Sequence, residues 1–271
     1  MSRKFVNLNP SNIRSCELNL PGSKSISNRV LLLSSLASGK TLIKNLLSSD
    51  DTEVMISALK KLGIKINENK ELKECIVEGS MNSFPIKSAD LYIGNSGTTI
   101  RPLTAALAFN NGDYKLHGTN RMHERPIKDL VDSLNAMGAK IEYLDQYGYP
   151  PIRINKTSIN RNKANIKSNV SSQFLTSLIM SSTIFSKNKN FEICVVGDLI
   201  SKPYVNITLK LMKLFGVNVS EKRENIFLIN SKQLLKNPNE INIEGDASSA
   251  SYFLAAGAIG GRLVRVNGIG S

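Results

Sequence analysis

The sequence predicts an α/β fold assembled from repeated units of loop, helix and strand. Three observations carry that prediction. Helix-like segments end three times in the same way, in "ISALKKLGIKI", "VDSLNAMGAKI" and "TLKLMKLFGVNV": apolar residues at helical spacing, a glycine, then a short strand. The glycines, Gly63, Gly138 and Gly216, stand 75 (138 − 63) and 78 (216 − 138) residues apart. Upstream of each such helix, a loop of small polar residues opens a second, more apolar helix.

The first unit opens with "GSKSISNR", continues through the apolar helix "VLLLSSLA" and the strand "TLIKNL", and adds an outer helix. That outer helix presents Val54, Ala58, Leu59 and Leu62 on one face, and Asp50-x-x-Glu53 reads as its capping box. The second unit repeats the plan with "GNSGTTIR", "PLTAALAF" and "DYKLHG", and its outer face is Leu130, Val131, Leu134 and Met137. The third has "SNVSSQF", "LTSLIMSS" and "FEICVV", with Ile207, Leu211, Met212 and Phe215 outside. Pro126 and Pro203 suit the first helical position of the second and third outer helices, where no N–H is needed. The three glycines suit a left-handed turn just past each helix end.

A fourth unit begins in "EGDASSASYFLAAGAIGGRLVRVNGIGS", with a small-residue loop from Gly245 to Ser251, an apolar helix and a strand. It stops at Ser271, where a second loop and helix are due. The repetition therefore leads to the expectation of a fragment or truncated product.

With 41% apolar and 21% charged residues among 271, the composition is that of a soluble globular chain. Apolar runs such as "LAAGAI" are too short to span a bilayer, and no apolar stretch follows the charged N-terminus as a signal peptide requires. Cys16, Cys75 and Cys194 are widely spaced, without a CxxC, and His117 and His123 are the only histidines. That set argues against a zinc site and for reduced thiols in a cytoplasmic protein. The net charge of +13 is spread over lysines interleaved with asparagine, which fits solvated loops better than a nucleic-acid surface. It also suits small, anionic ligands.

The loops supply matching chemistry. Unpaired N–H groups and the dipole at a helix N-terminus favour anions. Lys24 and Arg29 add charge in the first loop, Arg29 with bidentate geometry and Lys24 as a point charge. This is not a Walker A loop, which needs glycine directly before the lysine. Second loops bring Arg121, Glu124 and Arg125 in "RMHERP", and Ser201, Lys202 and Tyr204 in "DLISKPY". A cation at a helix start is disfavoured by the dipole, so Arg125 points to an anionic partner. Ser171, Ser172 and Gln173 read equally as caps or as ligands, whereas Asp50 and Asp51 read as caps.

Together "LPGSKSISNR", "GNSGTTIRPL", "RMHERPI", "SSQFLTSLIM", "GDLISKPY" and "EGDASSASYFLAA" resemble, in order, the motifs of the EPSP synthase (3-phosphoshikimate 1-carboxyvinyltransferase) family of the shikimate pathway. The resemblance implies an enolpyruvyl-transferase-like, two-domain α/β architecture of repeated units, an inside-out barrel. Residues 21–240 would form a complete three-repeat domain, and residues 1–20 and 241–271 an incomplete returning one. It implies transfer of the enolpyruvyl group of phosphoenolpyruvate to the 5-hydroxyl of shikimate 3-phosphate, without cofactor, metal, nucleic acid or membrane, by a monomer if complete. Lys24, Ser25, Arg29, Ser171, Ser172, Gln173, Ser201 and Tyr204 would hold shikimate 3-phosphate. Lys24, Asn95, Gly97, Arg125 and Gln173 would hold phosphoenolpyruvate, a side chain on Gly97 would crowd that ligand, and Pro102 would set the helix behind it.

The family's catalytic aspartate, glutamate and lysine match nothing in residues 1–271, so no acid or base is assigned, and the chain alone is expected to be inactive. One alternative is a substrate-binding remnant without catalysis. Another is the related enolpyruvyl transferase of peptidoglycan synthesis, which uses a UDP-sugar (UDP-N-acetylglucosamine) and whose usual cysteine is missing from "GTNRMHE".

Overall fold

A computed structural model of the chain describes residues 14–167, 171–186 and 189–269. The start of the "SNVSSQF" loop and the N-terminal stretch of the proposed returning domain lie outside the described residues.

After strand β1 (Cys16–Asn19), the first unit runs α1 (Lys24–Leu36), β2 (Lys40–Lys44), α2 (Asp50–Lys61), β3 (Lys65–Asn69) and β4 (Glu74–Glu78). The second is β5 (Ser88–Tyr92), α3 (Gly97–Phe109), β6 (Asp113–His117), the single turn α4 (Asn120–His123), α5 (Lys128–Met137), β7 (Lys140–Tyr143) and β8 (Ile152–Asn155). The third is β9 (Lys163–Lys167), α6 (Ser172–Phe185), β10 (Phe191–Val196), α7 (Lys202–Leu214), β11 (Val219–Arg223) and β12 (Ile226–Ile229). Strand β13 (Glu240–Asn242), α8 (Ala247–Gly260) and β14 (Val264–Asn267) follow.

Each unit owns a four-stranded sheet, and the three sheets share one plan: β13-β2-β4-β3, β5-β6-β8-β7 and β9-β10-β12-β11. The first two strands of each are parallel and the other pairings antiparallel. In units two and three the parallel edge strand directly precedes the apolar helix. In unit one that place is taken by β13, paired Glu240↔Leu42 and Ile241↔Ile43. The strand that does precede α1 pairs elsewhere, β1 with β14 in parallel from Cys16↔Val264 to Asn19↔Asn267. The two crossing segments are tied where they pass, Ser23 N donating to Glu244 O (2.8 Å) and Asp246 N to Pro21 O (3.1 Å).

Helices α1, α3 and α6 are buried on nearly every side, as helices without a polar face must be. Small hydroxyl residues let α3 and α6 pack closely, and their polar atoms turn inward: Thr104 donates to Ile100 O (2.8 Å), Ser177 to Gln173 O (2.6 Å) and Ser182 to Ile179 O (2.7 Å). The outer helices α2, α5 and α7 turn the apolar faces read from the sequence toward this core. Gly63, Gly138 and Gly216 end them with φ of 92°, 109° and 80°, a region that costs any other residue strain. Helix α8 is different: Tyr252, Leu254 and Ile259 lie exposed along it.

Local readings shift in three places. The polar stretches read as loops are mostly first helical turns, since α1 begins at Lys24, α3 at Gly97 and α6 at Ser172. The capping box of α2 is Ser49 with Thr52, not Asp50 with Glu53, because Ser49 has the extended backbone an N-cap needs and its hydroxyl reaches the N–H of Thr52. Pro126 lies outside α5, which begins at Lys128, and Pro203 is the second residue of α7.

Candidate functional site

The N-termini of α1, α3, α6 and α7 open onto one cavity of about 480 Å³. Lys24, Ser25 and Arg29 come from α1, Gly97 and Thr98 from α3, Ser172 and Gln173 from α6, and Tyr204 from α7. Asn95, Arg125, Ser171, Ile200, Ser201 and Asp51 complete the wall. Every residue singled out from the sequence as a ligand contact lies on this wall. Ser171 also caps α6, its hydroxyl accepting from Gln173 N at 3.2 Å. The N-caps of α1, α3 and α7 make no side-chain cap bond, and the first N–H of α1, Lys24 N, donates instead to Asp246 Oδ2 at 3.2 Å. Ser201 starts α7 from left-handed backbone, φ 56°, an uncommon conformation for a residue with a Cβ.

Two buried arginines dominate the electrostatics. Arg29 is 6% exposed; its Nε donates to Thr208 Oγ1 (2.8 Å) and its Nη1 to Ser25 O (2.9 Å). Arg101, 7% exposed, donates to Gln173 Oε1 and to Pro126 O (3.3 Å), and stacks over Phe174. Among the described residues neither forms an ion pair. Burial holds both guanidinium groups down to about 10, Tyr204 partly countering for Arg29 and Arg125 adding repulsion for Arg101. Both remain charged at neutral pH. A buried cation without a carboxylate is costly unless something anionic completes it, and of the two Arg29 lines the cavity.

Arg125 Nη1 donates to Asn95 O at 2.8 Å, which places its guanidinium across the start of α3. A Cβ added at Gly97 would stand 2.6 Å from Arg125 Nη2 and 2.9 Å from its Cζ. The crowding expected at Gly97 therefore falls first on Arg125. Arg121 pairs instead with Glu124 at the surface and is not on the wall.

The sequence reading missed three contributors. Thr98 lines the cavity; Arg101 holds Gln173 from behind; and Asp51, read as a cap, pairs with Lys24 at 3.4 Å. An arginine within the otherwise apolar "IRPLTAALAF" was the available signal for Arg101. A larger cavity of about 670 Å³ lies alongside, but its wall carries Asp50, Asp51 and Glu53 against Lys61 alone, the wrong balance for an anion. Among the described residues, no cluster of three or more His, Cys, Asp or Glu could hold a metal ion, and no helix is long and apolar enough to cross a membrane.

The wall is thus a set of four helix starts, hydroxyls and three cations, suited to a phosphate ester. The profile of the family described as EPSP synthase (3-phosphoshikimate 1-carboxyvinyltransferase) matches residues 9–271. Relatives named 3-phosphoshikimate 1-carboxyvinyltransferase in Janthinobacterium sp. (strain Marseille) and Herminiimonas arsenicoxydans are each 53% identical over 266 residues, 98% of this chain and 60% of theirs. The chain thus spans about 60% of the length of these curated relatives. An EPSP synthase structure from Acinetobacter baumannii shares the fold at a TM-score of 0.81 and 22% identity, over 97% of this chain and 57% of that one. The enolpyruvyl transferase NikO from Streptomyces tendae does so at 0.68 and 14%, over 91% and 56%. The chain belongs to the EPSP synthase family.

Proposed function

We propose that this chain supplies the shikimate-3-phosphate-binding part of an EPSP synthase active site. The observation that carries the reading is Arg29, a buried cation without a carboxylate partner, placed where four helix N-termini converge. Arg29, Ser25, Ser171, Ser172, Ser201 and Tyr204 bind shikimate 3-phosphate, and Gln173, held by Arg101, reaches both substrates. Asn95, Gly97 and Arg125 bind phosphoenolpyruvate, and Lys24 is shared. These groups hold the two anions side by side and stabilise phosphate charge as the 5-hydroxyl adds to the enolpyruvyl carbon and phosphate leaves. No residue here is assigned as the acid or base. The exchange of β1 and β13 between sheets supports a division into a three-unit domain, 21–240, and a second domain that includes 1–20 and 241–271.

The test is a thermal melt of the chain with shikimate 3-phosphate, alongside phosphorus NMR of a mixture that also contains phosphoenolpyruvate. The reading predicts a melting temperature that rises with shikimate 3-phosphate concentration, and a smaller rise in Lys24→Met. No shift at millimolar ligand contradicts it. A rise without phosphate release favours a second reading, binding without catalysis.

A further inference from the structure

A glutamine side chain can present either end of its amide to a ligand, an acceptor oxygen or a nitrogen with two N–H donors. At Gln173 the fold removes the choice. Arg101 stands behind it in α3, buried and off the cavity wall, and its Nη1 donates to Gln173 Oε1. A guanidinium only donates, so the amide oxygen is the one end that can meet it; the reverse setting would put N–H against N–H. Arg101 is itself anchored, its Nη2 donating to Pro126 O (3.3 Å) and its Cζ lying 5.2 Å from the centre of the Phe174 ring. The backbone of Gln173 is fixed as well. Its N–H donates to Ser171 Oγ (3.2 Å), and its carbonyl accepts from Ser177 Oγ (2.6 Å) and Thr176 Oγ1 (3.2 Å). Among the described residues Gln173 Nε2 alone is left without a partner, and Gln173 lines the cavity.

We propose that Arg101 is a positioning residue that sets Gln173 as a hydrogen-bond donor toward the cavity. With Oε1 turned to Arg101, Nε2 is the end left for a ligand. Its two N–H bonds diverge, so one amide can reach oxygens of two anions at once. A glutamine free to rotate would present its carbonyl oxygen part of the time, and that oxygen repels an anion. An apolar or acceptor side chain at position 101 could not impose the donor setting. This accounts for a cation held in the otherwise apolar run "IRPLTAALAF" in spite of the cost of its burial. That Gln173 meets both substrates rests on the function proposed above, while the direction of its amide does not.

The test is calorimetric titration of the full chain with shikimate 3-phosphate for wild type, Arg101→Met, Gln173→Leu and the double variant. Thermal melts of Gln173→Glu, alone and combined with Arg101→Met, accompany it. Each single substitution is expected to weaken binding about tenfold, the scale of one oriented hydrogen bond to a charged group. The double variant should bind within about threefold of either single one, because Arg101 acts through the amide. If Arg101 acted by its charge alone, or only by holding the fold, the losses would multiply to about a hundredfold, and that result overturns the proposal. Gln173→Glu sets a carboxylate against Arg101. It should raise the melting temperature by about 2 °C or more when Arg101 is present, and not in the Arg101→Met background. It should weaken shikimate 3-phosphate all the same, since an acceptor then faces the cavity. Equal melting shifts in the two backgrounds show that Arg101 does not hold residue 173 and also overturn the proposal. If the melts behave as expected but wild type does not bind shikimate 3-phosphate, the amide direction stands and the substrate reading falls.

Discussion

Replacing Arg29 by methionine separates a residue kept for a ligand from one kept for the fold. Burial lowers the Arg29 guanidinium to about 10, which corresponds to a cost of about 3 kcal/mol for holding the charge in the folded chain. Methionine, of similar reach, removes that cost. It also removes the bonds to Thr208 Oγ1 and Ser25 O, each worth about 1–1.5 kcal/mol net. Thr208 keeps its own bond to Tyr204 O at 3.0 Å. The two sides nearly cancel, so Arg29→Met should unfold within about 1 kcal/mol of wild type in urea. Its affinity for shikimate 3-phosphate should nevertheless fall about 30- to 100-fold, the loss of a bidentate charged contact. Because the folded value is depressed, the cost is fully present below about pH 10 and is relieved as pH rises through it. The unfolding free energy of wild type should therefore gain on the variant only above about pH 10. A loss of 3 kcal/mol or more in the variant with anion binding intact would refute the reasoning and make Arg29 structural.

Other expectations are narrower. Gly97→Ala should push the Arg125 guanidinium away from Asn95 O, shifting its side-chain NMR signals and weakening phosphoenolpyruvate about tenfold, with under about 1 kcal/mol of stability lost; an unmoved Arg125 signal contradicts this. Ser49→Ala should cost about 1 kcal/mol in urea melts, more than Asp50→Asn, since the serine is the cap; equal effects would return the role to the carboxylates. At pH 8 an alkylating reagent should label Cys16 quickly, while burial protects Cys75 and pushes its thiol up to about 12; mass spectrometry showing equal rates would place Cys75 outside the core.

The repeat was legible because each unit carries its own punctuation: a helical apolar face and a glycine that must turn left-handed. Helix starts were less so, since serine, threonine and asparagine favour loops locally, and burial against neighbouring helices overrides that preference in α1, α3 and α6. The cap of α2 moved by one residue, from Asp50 to Ser49, because the extended backbone that marks the N-cap falls at Ser49, which the side-chain pattern alone does not reveal. The strand exchange was hidden from local reading, since β13 is three residues long and its partner Leu42 lies far along the chain. Asp51 was misread for a related reason: its chemistry depends on Lys24, which reaches it only after folding.

The most direct test of the anion cavity is calorimetric titration of the chain with shikimate 3-phosphate at rising salt. The account predicts one saturable site, weakened by salt and reduced about 30-fold or more by Arg29→Met. Absence of binding at millimolar ligand, or binding indifferent to both salt and Arg29, would contradict it.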